Sequence, residues 1–141
     1  LGQEIKVNTI PVDPRSLFRG NYARLNYDFS RIDTDKIQGE GVLRNGEVIF
    51  VNLVKNQGDI YQASTATLQK PSDGYFIRGR VEARYVSADE PEYYRVNYGI
   101  EAFFAPKERA IALEKELADG GTAVLMIDAR GAARIKDVTA K

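Results

Sequence analysis

A chain of 141 residues that is 43% hydrophobic has the size and apolar content of one folded domain. Its 20 basic and 20 acidic residues cancel, which removes any general electrostatic pull toward nucleic acid or anionic lipid. It holds no cysteine and no histidine, so disulfides, thiolate chemistry, Ser-His-Asp triads and histidine-ligated metals are excluded within it. Carboxylate, Ser-Lys, tyrosine and arginine chemistry are what remain, and no cofactor is expected.

Period-two alternation runs along most of the chain. Glu4 to Ile10 predicts a first strand with Ile5 and Val7 on one face, ended by Pro11 and Pro14. Asn21 to Phe29 predicts a second, with Ala23, Leu25, Tyr27 and Phe29 on one face and Tyr22, Arg24, Asn26 and Asp28 on the other. LRNGEVIFVNLVK reads as a hairpin: Asn45-Gly46 suits a two-residue turn needing positive φ, and Glu47 to Lys55 is apolar on both faces, as in a central strand. NQGDIYQASTATL adds a turn and a strand rich in β-branched residues. In YFIRGRVEARYV, Tyr75, Ile77, Val81, Ala83 and Tyr85 point one way and Arg78, Arg80, Glu82 and Arg84 the other. Gly79, on the apolar side, marks a bulge or a close backbone approach.

After the loop SADEPE, Tyr94, Val96, Tyr98, Ile100, Ala102 and Phe104 share a face and predict one long strand. Pro106 suits the first turn of a helix near residues 106–118, with a stripe of Ala110, Leu113 and Leu117 flanked by Ile111, ended by Asp119-Gly120-Gly121. Thr122 to Asp128 and Ala132 to Val138 close the chain around a turn at Ala129-Arg130-Gly131. The total is about eight or nine strands to one helix. That is a mainly β fold (all-β or α+β), an antiparallel barrel or curled sheet with the helix plugging one end, in a single domain over residues 1–141.

Several groups are candidates for function. Asp13, Arg15 and Arg19 flank a proline-rigid turn; an ion pair pinning that turn is the commoner role, and a ligand carboxylate or phosphate held in arginine's planar fork is the sharper one. Gly20 suits a backbone hinge, and Asn21 tolerates positive φ and bonds nearby backbone. Of Tyr22, Tyr27, Tyr85, Tyr94 and Tyr98, those on apolar faces are expected as core residues whose hydroxyls find partners at a barrel rim; the sharper reading is that several line a ligand groove. Arg78, Arg80 and Arg84 with Glu82 form either a solvated face with weak cross-strand pairs or a site for an anion or partner. Glu101 is expected to bridge to an arginine. Asp28, Asp33 and Asp35 lack the glycine-centred, oxygen-rich loop of a calcium site and read as a solvated loop. Ser16 as the nucleophile of a Ser-Lys hydrolase is the remotest reading, because no lysine clearly holds a buried strand position.

The stretch PVDPRSLFRGNYARLNYDFS resembles the signature of the GDYxxLxY family of uncharacterised, membrane-anchored bacterial proteins. Gly20, Asn21, Tyr22, Leu25 and Tyr27 carry the match, with Pro11, Asp13, Pro14, Arg15, Phe18 and Arg19 as its lead-in. SDGYFIRGRV and VNYGIEAFFAPKERAIALEKEL resemble its downstream segments. The family's aspartate is Asn21 here, which weakens any role needing charge at that place. The resemblance implies a membrane helix ahead of this domain, consistent with a start at Leu1-Gly2-Gln3, and a location in the periplasm or extracellular space. It implies no established activity. The leading expectation is therefore a non-enzymatic, tethered domain that binds a membrane-protein partner or supports a membrane complex. The alternative is a barrel binding a small ligand or envelope component near Arg19, Tyr22 and Tyr98.

Overall fold

The protein is described by a computed structural model over residues 2–11, 18–19, 21–39, 41–83 and 91–140. Twelve strands and one α-helix are assigned among them: β1 (Gln3–Ile10), β2 (Phe18–Arg19), β3 (Tyr22–Arg24), β4 (Asn26–Tyr27), β5 (Arg31–Asp33), β6 (Val48–Lys55), β7 (Ile60–Thr67), β8 (Tyr75–Glu82), β9 (Tyr93–Asn97), β10 (Ala102–Phe104), α1 (Lys107–Glu116), β11 (Gly121–Ile127) and β12 (Ala133–Ala140). The main sheet runs β12-β11-β1-β7-β6-β8-β9-β5, with β4 added to the end of β1, and it curls into a half-barrel. A small sheet, β10-β3-β2, carries the signature segment. The mainly β expectation holds, with one helix among the described residues. Among the named strands pairing is antiparallel except between β1 and β7, which run parallel through Lys6↔Ile60 and Val7↔Tyr61; an isolated bridge, Ile37↔Ala66, is parallel as well.

Alternation builds the core as the pattern requires. Ile5 and Val7, Ile49, Val51 and Leu53, Ile77 and Val81, and Ala123, Leu125 and Ile127 all turn inward from successive strands. Leu113 and Leu117 seat α1 on this core with Ala110 partly buried beside them, so the predicted stripe packs inward, while the flanking Ile111 stays exposed. The Leu117 N–H donates to Leu113 O, and Gly120 follows at φ +88°, a left-handed conformation suited to glycine after a helix. The Gly121 N–H then donates to the buried Thr9 Oγ1 at 2.7 Å, tying the end of the helix to β1.

The curl is drawn together at the last turn. The Arg78 N–H donates to Gly131 O at 2.8 Å, so the β11–β12 turn reaches back to β8. Gly131 has φ +85°, and a Cβ there would lie 2.9 Å from the Phe76 ring. The outer edge at β12 is partly covered. The Val138 N–H donates to Asp137 Oδ1 at 2.8 Å and Val138 O accepts Arg109 Nη2 at 2.6 Å, which occupies one residue's worth of edge backbone.

Three local expectations are corrected. Asn45-Gly46 does turn, with Gly46 at φ +84°, but it closes no hairpin: the Gly46 N–H donates to Val81 O and the Val81 N–H to Glu47 O, so the turn docks on β8. The segment from Asn21 keeps its predicted faces, yet splits into β3, β4 and a 3-10 turn at Asp28–Ser30. The long strand through Phe104 is broken between Asn97 and Ala102 by a turn in which Gly99 has φ +85°, and the phase has flipped by Ala102. Tyr94, Val96, Tyr98 and Ile100 are buried as expected, whereas Ala102 and Phe104 face solvent. No helix among the described residues is long and apolar enough to cross a membrane.

Candidate functional site

The signature segment is divided between surface and interior. On the small sheet Tyr22 lies opposite Phe104, Ala23 opposite Phe103 and Arg24 opposite Ala102. The Tyr22 and Phe104 rings meet edge to face with centroids 5.8 Å apart, and both are more than half exposed. Arg19 takes part through its strand pairing with Tyr22. Asn21 is exposed, and its backbone O accepts the Ala105 N–H at 2.7 Å. An aspartate at that position would make the same bond, so the departure from the family pattern leaves this contact intact. Asp13, Arg15, Ser16, Gly20, Arg84 and Tyr85 lie outside the described residues.

Further along the segment the side chains go inward. Tyr27 stacks on Phe29 at 5.1 Å with planes 8° apart, and Phe29 meets Tyr98 edge-on at 5.1 Å. Their polar ends are committed: the Tyr27 hydroxyl donates to Ile100 O at 2.6 Å, the Tyr98 hydroxyl to Phe29 O, and the Tyr94 hydroxyl accepts the Leu43 N–H. Burial, with the Glu101 carboxylate adding to it, pushes the Tyr27 and Tyr98 hydroxyls well above the ordinary tyrosine range. Both stay neutral near pH 7, which suits hydrogen-bonded packing and not proton transfer. Gly79 makes room for this cluster. A Cβ there would lie 2.5 Å from Val96 Cγ1 and 2.7 Å from Tyr98 Cδ1, so the close-approach reading of this glycine is the right one.

Beside this cluster a cleft of about 1130 Å³ opens along β8 and β9, bounded by Asn45 and Gly46 on one side and Ala132 and Ala133 on another. Arg78, Arg80 and Tyr98 line it, together with Arg95, Asn97, Glu82 and Tyr93. A smaller hollow of about 330 Å³ holds Tyr22, Arg24 and Glu101, and shares Glu82, Arg95 and Asn97 with the first. The structure thus brings Arg78, Arg80, Glu82, Tyr98, Tyr22 and Glu101 to two adjoining hollows and leaves Tyr27 in the core. Glu101 does not bridge to an arginine among the described residues. Its two carboxylate oxygens accept the Tyr98 and Gly99 N–H groups, each at 2.9 Å, and so hold the turn at Gly99. Asp28, Asp33 and Asp35 fall on separate short elements, and no three acidic groups gather as cation ligands would among the described residues.

Arg95 and Asn97 were not singled out from the sequence. Their signal was the polar phase of the strand YYRVN, but only the register reveals their neighbours: Arg80 pairs with Asn97, and Glu82 with Arg95.

A half-barrel with a helix on its core, an open polar cleft and an exposed aromatic pair defines a small β domain with its hydrophobic interior filled. The chain belongs to the GDYXXLXY protein family, whose sequence model matches residues 1–138. No curated protein and no solved structure matches it significantly.

Proposed function

We propose that this is a non-enzymatic domain that binds a protein partner outside the cytoplasm, while a segment ahead of it holds it at the membrane. The observation that carries the partner reading is the Tyr22–Phe104 pair. Aromatic rings are favoured anchors of protein interfaces, and two of them half out of water on a supported sheet stabilise the isolated domain little. Ile111, on the helix that packs against β3 and β12, is exposed as well. The tether rests on the family resemblance. A ligand inside the barrel has less to support it, because Tyr27, Phe29, Tyr94 and Tyr98 fill the interior and every buried side-chain nitrogen and oxygen among the described residues has a partner.

Photo-crosslinking of the full-length protein in its own membrane tests this, with a benzophenone side chain at position 22 and a control at the equally exposed Val54. A discrete protein adduct from position 22, absent at Val54 and lost in Phe104→Ala, is expected. Adducts that are equal at the two positions, or confined to lipid, would overturn the reading.

A further inference from the structure

We infer that the cleft along β8 and β9 receives an extended acidic segment of a protein, with Arg78, Arg80 and Arg95 as its anchors. Arg78 and Arg80 alternate on the solvent side of β8, about 7 Å apart along the strand. That is the repeat at which every second side chain of another extended chain recurs, so acidic residues at alternate positions would meet the two guanidiniums in step. Arg80 is already held, its Nη1 donating to Gly46 O at 2.9 Å. Arginine's planar fork can grip a carboxylate through two parallel hydrogen bonds.

The third anchor is in an arrangement that a sheet alone would not favour. Arg95 lies between Glu82 on one neighbouring strand and Arg31 on the other. Like charges directly opposite each other destabilise a sheet. Arg31 is turned over the Tyr93 ring, 3.7 Å from its centroid, while Glu82 accepts the Asn97 amide at 3.2 Å. Arg95 lines the cleft, and among the described residues none of the three arginines has a carboxylate within ion-pair reach. An incoming carboxylate would relieve the Arg31–Arg95 repulsion as well as pair with the cleft.

Size and shape favour a chain over a small anion. The cleft is open and, at about 1130 Å³, far roomier than a single small anion needs. A recess also suits a single strand better than a flat lipid surface. The inference rests on the domain being a protein binder, but it uses a different surface from the aromatic pair.

The test is fluorescence anisotropy at low salt with the intact domain and a short labelled peptide carrying glutamate at every second position. Binding is expected to weaken about tenfold or more in Arg78→Glu and in Arg95→Glu, and in wild type when the peptide's glutamates become glutamines. Val54→Ala, at an exposed position that does not line the cleft, should bind as wild type does. Circular dichroism checks that the variants fold, and Arg95→Gln gives a milder perturbation with the same direction. Equal affinity for the glutamine peptide, equal affinity in the reversed-charge variants, or no binding up to about 1 mM peptide would each overturn the inference. Arg95-dependent binding of phosphatidylglycerol vesicles that displaces the peptide would replace it with a lipid headgroup, and displacement by inorganic phosphate alone with a simple anion site. Failure of the crosslinking at position 22 would leave these results standing, and failure here would leave the crosslinking standing.

Discussion

Tyr22 and Tyr27 belong to one signature and have opposite fates. Tyr27 is 1% exposed, stacked on Phe29, with its hydroxyl spent on Ile100 O; Tyr22 is 54% exposed and touches Phe104 at the surface. An odd spacing between two residues on extended backbone puts them on opposite faces, and the split into β3 and β4 does not disturb that phase. One motif can therefore carry two demands. Leu25 and Tyr27 answer to the packing of the core, while Tyr22 is left at the surface, free of that demand.

Substitutions can break this division. Tyr27→Ala empties an aromatic site in the core and should cost about 3–5 kcal/mol in urea unfolding. Gly79→Ala pushes a methyl into Val96 and Tyr98, with an expected loss of about 1–3 kcal/mol from the same measurement. Tyr98→Phe keeps the ring but removes the donor to Phe29 O, which should cost about 1–3 kcal/mol. At the other end, Tyr22→Ala should change stability by about 0.5 kcal/mol or less. Similar losses at Tyr22 and Tyr27 would erase the contrast.

A pH series sharpens it. Tyr27 and Tyr98 ionise in the unfolded chain at the ordinary value of 10.0 and in the folded chain only well above it, so folding favours their protonated forms. Their contribution is whole below about pH 10 and is lost as the pH rises past it, because the unfolded chain releases those protons first. Unfolding midpoints should fall between pH 9 and 11 by calorimetry or denaturant. The fall should be shallower in Tyr98→Phe than in wild type.

Much of this was legible because side-chain faces are a local property. The runs Ala23-Leu25-Tyr27-Phe29 and Tyr94-Val96-Tyr98-Ile100 point inward as their alternation requires. The same rule failed at Ala102 and Phe104, since the turn between β9 and β10 resets the phase after Ile100 and nothing in an apolar pattern announces it. The Asn45-Gly46 turn was visible, but its docking partner Val81 is far along the chain and was not. The candidate site shows the same limit. Arg78 and Arg80 could be paired from their spacing, whereas Arg95 joined them only through strand register. The parallel β1–β7 contact was hidden for that reason too, being a pairing between segments with no shared local signal.

The position of β1 also governs the order in which the molecule can be made. It is the first strand of the chain, yet Ile5 pairs with Leu125 and Lys6 with both Val124 and Ile60. During synthesis this strand emerges before any of the strands it pairs with, and one of its edges waits until β11 has left the ribosome. Long-range pairings of this kind slow folding and leave strand edges open to wrong partners. A nascent chain stopped before β11 should therefore stay protease-sensitive through β1, and the last β-hairpin, β11–β12, would be what commits the first strand to its place.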